Sequence, residues 1–293
     1  MIGIIDVGGG QRDIYGAGVL DYCMKFGIRF DYCIGVSAGS ANLGSYLAGQ
    51  SQRNFRFYTD YSFRKEYMGL GQFLSTRNYI NLDYIYSTLA NHDGEDPLDF
   101  PAMKNSGRIF RIVATDARTG KPHYFSMDDI QQDNYDVFKA SSCVPGFNKP
   151  YPIGDGIYFD GGFSDPIPVE KAFADGSDKV VVILTRPVDQ VRDPKKDQFM
   201  ARRLASQYPE AAKALANRAQ TYNSQVELCK KYAAEGRLLI VAPDDIGKMK
   251  TLTRDLEALK HLYHKGQDDA TAIIGFLGIK LSSHTPAMMQ YPY

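Results

Sequence analysis

Gly35-Val36-Ser37-Ala38-Gly39 sets a serine between two glycines, with an apolar run before it and a small-residue segment after it. A serine on a tight strand-to-helix turn projects its hydroxyl clear of the backbone. Glycines on both flanks remove the Cβ atoms that would clash at such a turn. The following helix adds the positive end of its dipole, which favours negative charge developing nearby. The pentapeptide alone also fits a glycine-rich turn with an N-capping serine. The apolar run and the helical pattern around it are what make it a nucleophile elbow.

A serine hydroxyl attacks poorly without a base. The chain has five histidines: His92, His123, His261, His264 and His284. A serine-acid-histidine hydrolase needs one late in the chain, on a loop after a strand. His261 and His264 fall in a charged helical stretch and His284 in the tail, so none has that setting, although composition does not exclude them. Asp160 is the other source. It ends the extended apolar stretch Ile157-Tyr158-Phe159, and Gly161 and Gly162 after it let the carboxylate approach another backbone closely. The same residues also fit a plain D-G turn. A third feature is Gly8-Gly9-Gly10-Gln11-Arg12, after the first apolar run. Successive glycines let backbone N–H groups converge on an anion, whether a phosphate or an oxyanion. A dinucleotide fingerprint fails at Asp13, where G-x-G-x-x-G needs its last glycine.

Strands and helices must hold these residues together. Ile2–Val7, Phe30–Val36, Arg108–Thr115, Lys179–Thr185 and Arg237–Ala242 read as strands, and Pro122–Phe125 as a hairpin partner joined through Thr119-Gly120. Ile14–Phe26 and Ala38–Ala48 have helical spacing, with Gly27 as a helix stop. Strand-helix alternation with continuous apolar strands implies parallel strands covered on both faces. Residues 197–235 and 248–265 read as helices with charged faces, and the tail from Ser282 as loosely held. Residues 55–86 carry ten aromatics, Phe73 among them, against 12% for the whole chain. They read either as a packed helical layer over the sheet or as a cap lining an acyl-binding cleft.

The bulk numbers narrow the classes. The 293 residues suit one decorated α/β domain, and 44% hydrophobic content supports a sizeable core. Lys plus Arg and Asp plus Glu are 34 each, so no general charge favours nucleic acid or an anionic membrane. The four cysteines form no C-x-x-C pair and read as reduced, buried thiols. No metal cluster or calcium loop is visible. The longest apolar run, Val180–Leu184, is far short of a bilayer span, and the N-terminus reads as a strand, so the cytoplasm is the expected location.

In order and spacing, Gly8–Arg12, Gly35–Gly39 and Asp160–Gly162 resemble the three blocks of the patatin-like phospholipases. Gly16-Ala17-Gly18-Val19-Leu20 and Ser141-Ser142-Cys143-Val144-Pro145 extend the likeness, and residues 190–270 resemble the C-terminal extension of the family's bacterial YjjU-like branch. The resemblance implies a three-layer α/β/α fold with a central, mostly parallel sheet. It implies a catalytic domain over 1–185, with 186–293 as a C-terminal helical extension packed on the same domain. It implies a serine lipid acyl hydrolase of phospholipase A, lysophospholipase or carboxylesterase type, without cofactor or metal. Ser37 is then the nucleophile and Asp160 its base, through an acyl-enzyme. Gly8, Gly9, Gly10 and Gln11, with Arg12, form the oxyanion hole. The expected partner is a lipid or acyl-ester substrate, with transient peripheral membrane contact through exposed aromatics of 55–86 and no nucleic acid.

Asp13 departs from the pattern, which has glycine there. Facing the oxyanion site, its carboxylate would repel developing charge; turned away, it would cap the helix and face solvent. Asp13→Gly is therefore expected to spare the fold and change turnover by less than about tenfold. Two alternatives remain: a catalytically weak lipid- or acyl-binding relative, and a nucleotide-binding α/β protein.

Overall fold

The structure is a computed structural model that describes residues 1–69 and 78–279. Phe73, His284 and the tail from Ser282 lie outside the described residues. Strand β1 (Ile2–Asp6), helix α1 (Ile14–Lys25), strand β2 (Tyr32–Val36) and helix α2 (Ala38–Leu47) follow the expected alternation. β1 runs parallel to β2 on one side and to β7 (Lys179–Ile183) on the other, and β8 (Leu238–Val241) extends the sheet beyond β7. β3 (Ile109–Asp116) runs parallel to β2. β4 (Pro122–Ser126), β5 (Tyr151–Ile153) and β6 (Gly156–Asp160) complete the sheet with antiparallel pairings.

The apolar strands are covered on both faces. Ile4, Cys33 and Val181 point to one side, beneath α1, α2 and the helix Leu256–Asp269. Their neighbours Ile5, Ile34 and Val182 point to the other, against the helices Val169–Ala174 and Pro209–Ala234. This is the three-layer α/β/α arrangement, and it explains why these strands carry no polar alternation. All four cysteines are free and buried. No helix among the described residues is long and apolar enough to cross a membrane.

The C-terminal half differs in detail from its sequence pattern. The single helix read over 197–235 is two, Lys195–Leu204 and Pro209–Ala234. Pro209 disfavours helical backbone at the residue before it, and Tyr208 breaks out at φ −137°. The helix read over 248–265 begins only at Leu256, where the Asp255 carboxylate accepts the Ala258 N–H at 3.1 Å. It docks on α1 through two hydroxyls: Tyr263 donates to Asp21 at 2.6 Å, and Tyr15 donates to Asp269 at 2.7 Å.

One feature of the sheet positions the site. Along β3, Val113 pairs with Val36 and the next residue, Ala114, pairs with Asp160. β4 occupies the other edge of β3 at both residues. A strand has two edges, so β2 and antiparallel β6 must share the remaining one and meet end to end. The last residue of β6 therefore arrives beside the residue that follows β2, which is Ser37.

Candidate active site

Ser37 sits at φ 55°, ψ −128°, a conformation that non-glycine residues adopt at a cost of about 1–3 kcal/mol. Its surroundings hold it there. Its N–H donates to the Ser141 hydroxyl oxygen at 2.8 Å, and that hydroxyl donates to the Val113 carbonyl at 2.6 Å. The Ser40 hydroxyl and N–H donate to the Ser37 carbonyl at 2.6 and 3.0 Å. The first turn of α2 presses so closely on β1 that a Cβ on Gly39 would lie 2.3 Å from the Asp6 carbonyl oxygen. The Ser37 side chain makes no capping hydrogen bond to α2; it shares the cleft with the Asp160 carboxylate and lies near enough to favour its charged form.

Asp160 is buried. Its Oδ1 accepts the Gly162 N–H at 2.8 Å, and its own N–H donates to the Cys143 carbonyl at 2.8 Å. Burial pushes its carboxyl above the ordinary range, and the Ser37 side chain, the Gly162 N–H and the nearby Arg218 and Arg192 charges restrain the rise. None of the described histidines lines the cleft around Ser37.

The glycine loop opens on this pair. Gly8, Gly9 and Gly10 have φ 69°, 141° and 62°, all in the region that favours glycine. A Cβ on Gly8 would also lie 2.2 Å from the Val36 carbonyl oxygen. The loop's amides are not equivalent. Gly8 N–H donates to the Asp6 carboxylate at 3.1 Å, and Gln11 N–H donates to the Thr251 carbonyl at 2.8 Å. Among the described residues, no hydrogen bond joins the Gly9 or Gly10 amide to a protein acceptor. Arg12 is buried, its Nη1 donating to the Thr251 hydroxyl at 3.1 Å while its Nε has no partner. Burial and the neighbouring Arg186 and Arg192 charges push its guanidinium down to about 9.

Asp13 takes neither orientation expected for it. It is fully buried, does not line the cleft and caps nothing. Its carboxyl lies against that of Asp6, and neither Asp13 oxygen meets a donor. Two acceptors in contact need a proton between them, and burial plus the neighbouring carboxylate raises Asp13 far enough to keep one.

The cleft holds about 370 Å³ and contains Ser37, Asp160 and Gly8–Gly10. Phe57, Tyr58, Tyr67 and Tyr86 form an apolar part of its lining. A smaller apolar pocket of about 60 Å³ shares Phe57, Tyr58 and Tyr86 with it. The aromatic segment is thus both packed layer and cleft wall. Its described rings are buried or half-buried.

A family model described as patatin-like phospholipase matches residues 7–173, more than half of the chain and all three motif blocks. The chain belongs to this family. A second model, a domain of unknown function (DUF6363), matches residues 208–276. The uncharacterized protein YjjU of Escherichia coli (strain K12) is 29% identical over 291 residues, covering 97% of this chain and 80% of YjjU. VipD from Legionella pneumophila is similar in structure, with a TM-score of 0.47 at 12% identity, over 93% of this chain and 66% of VipD. Membership of the patatin-like phospholipases supports lipid hydrolysis in general.

Patatin-like sequence blocks account for Ser37, Asp160 and the glycine loop, but other parts of the site carried no such signal. Asp6 reads in sequence as a mere break in an apolar stretch, yet it holds the Gly8 amide. Ser141 lies in a recognised segment without an evident role, and it is the residue that fixes the Ser37 amide.

Proposed function

We propose that this chain is a serine lipid acyl hydrolase working through a Ser37–Asp160 dyad. The observation that carries the reading is the strained Ser37 elbow, with the buried Asp160 carboxylate brought beside it by the sheet and the Gly9 and Gly10 amides in the same cleft. The Ser37 hydroxyl oxygen attacks the ester carbonyl carbon as its proton passes to Asp160. The resulting oxyanion takes hydrogen bonds from the Gly9 and Gly10 amides, with the Arg12 charge nearby. Collapse expels the alcohol, which leaves with the proton from Asp160, and an acyl-Ser37 ester remains. Asp160 then takes a proton from water, the water attacks the acyl carbonyl, and the fatty acid departs as Ser37 regains its proton. The objection that Asp13 spoils the oxyanion site loses its basis, because that carboxyl faces Asp6 and not the cleft.

Intact-mass labelling with a fluorophosphonate tests the reading. Wild-type protein should gain one adduct, Ser37→Ala none, and Asp160→Asn the same adduct more slowly. A folded wild-type chain that gains no adduct would sink the proposal.

A further inference from the structure

The phospholipase match ends at residue 173, yet much of the cleft's charge comes from beyond it. Arg186, Arg192 and Lys196 follow the matched region, and Arg218 and Thr251 belong to the stretch that matches a domain of unknown function. All five line the cleft that holds Ser37. Arg192 and Arg218 converge on one buried carboxylate: their Nε atoms donate to Asp197 Oδ2 at 3.1 and 3.0 Å. Arg186 and Arg12 have no carboxylate ion-pair partner among the described residues. Arg12 is nine-tenths buried or more, with its Nε unsatisfied. Arg12, Arg186, Arg192 and Arg218 thus share a partly dry cleft with the carboxylates of Asp160, Asp193 and Asp197, of which only Asp197 pairs with any of them among the described residues. Like charges gathered this way repel, and burial removes the water that would screen them. An anion with several oxygens relieves both penalties. Phosphate fits the forked donors of arginine bidentately and can meet more than one of them at once.

We propose that the segment beyond the phospholipase match, through Arg186, Arg192 and Arg218, gives the cleft a phosphate-binding subsite that takes the headgroup of the lipid ester. The assignment rests on the hydrolase reading of Ser37 and gives the C-terminal region a role in substrate choice. Arg186 is the residue to change, since it is half-buried and holds no carboxylate, so its loss leaves no orphaned partner.

The experiment compares wild type with Arg186→Gln on two esters of the same chain length, 1-dodecanoylglycerol 3-phosphate and 1-dodecanoylglycerol. The ratio of kcat/KM for the phosphate ester over the neutral one should fall at least about tenfold, the size of losing one charge-assisted contact. Arg186→Lys should restore part of the ratio. Calorimetric titration of inorganic phosphate into the Ser37→Ala protein should show binding that Arg186→Gln weakens by a similar factor. This second measurement needs no turnover, so it decides the subsite even where Ser37 takes no fluorophosphonate. Phosphate binding lost in Arg186→Gln with an unchanged ester ratio would overturn the headgroup assignment in favour of a free phosphate ion. Absence of phosphate binding together with an unchanged ratio would overturn the subsite altogether.

Discussion

Asp160→Asn should lower kcat by about 10³-fold, within the 10²–10⁴ range typical of a positioned general base, with a much smaller change in KM. The asparagine keeps the shape and can still accept the Gly162 N–H through its amide oxygen, but it cannot take the Ser37 proton. The pH profile is the sharper readout. Burial raises the Asp160 carboxyl above the ordinary range, so the acid limb of wild-type kcat/KM should lie above the pH at which an exposed aspartate titrates. The variant should lose that limb. Stability should move the other way. A carboxyl raised in the folded state binds protons that the unfolded chain has already released, so stability falls as pH rises from the ordinary carboxylate range through the folded pKa. Asparagine removes this penalty, so Asp160→Asn should unfold at the same temperature as wild type or higher at neutral pH. Turnover within threefold of wild type would remove Asp160 from the base role and return attention to the histidines. A folded variant with turnover lost but the acid limb intact would assign the limb to another group.

The sequence carried the central sheet clearly because its strands are buried on both faces. Apolar runs such as Val180–Leu184 have no other use in a folded chain of this composition. The elbow was legible for a similar reason: the approach of α2 to β1 leaves no room for a Cβ at Gly39, and that requirement is written directly as a residue type. The β5–β6 hairpin is also written, in Ile153-Gly154-Asp155-Gly156, but only its second strand carries an apolar run long enough to mark it. Gly154 at φ 55° supplies the turn. Meeting of Ser37 and Asp160 was not legible locally, because it depends on two strands sharing one edge of β3 across more than a hundred residues. The arginine wall was opaque for another reason. Arg186 and Arg192 sit in the loop between β7 and the helix Lys195–Leu204, and Arg218 on a helix whose charges look like an ordinary solvated face, so only tertiary packing brings them to the cleft. Asp13 misled because a carboxylate in a glycine-rich loop suggests either a cap or an intruding charge. A neutral buried pair with Asp6 leaves no mark on the sequence.

That pair supports a prediction of opposite sign to the usual expectation for a buried polar residue. Asp13→Asn should stabilise the protein at pH 8 and leave it near wild type at pH 3. Below the ordinary carboxylate range both folded and unfolded chains hold their protons, and nothing is lost. Above it the unfolded chain releases them while the folded pair retains them: Asp6 is pushed up to about 6 by burial, and Asp13 is raised further by burial and by Asp6. Folded protein therefore binds more protons, and its stability declines as pH rises through these values, by about 1.4 kcal/mol for each pH unit over which one proton is held only by the folded chain. An asparagine amide would donate to the Asp6 carboxylate permanently, as the shared proton does, and would carry no titration. The gain at pH 8 should appear as a rise in Tm of several degrees, at about 2–4 °C per kcal/mol for a chain of this size. Asp6 would still accept the Gly8 N–H, so turnover should stay within about tenfold. Asp13→Gly, by contrast, should lower Tm, because it empties the space beside Asp6 and leaves that carboxylate the Gly8 amide and a 3.4 Å contact from Asn42. A variant Asp13→Asn that melts below wild type at pH 8 would show that the two carboxyls do not share a proton.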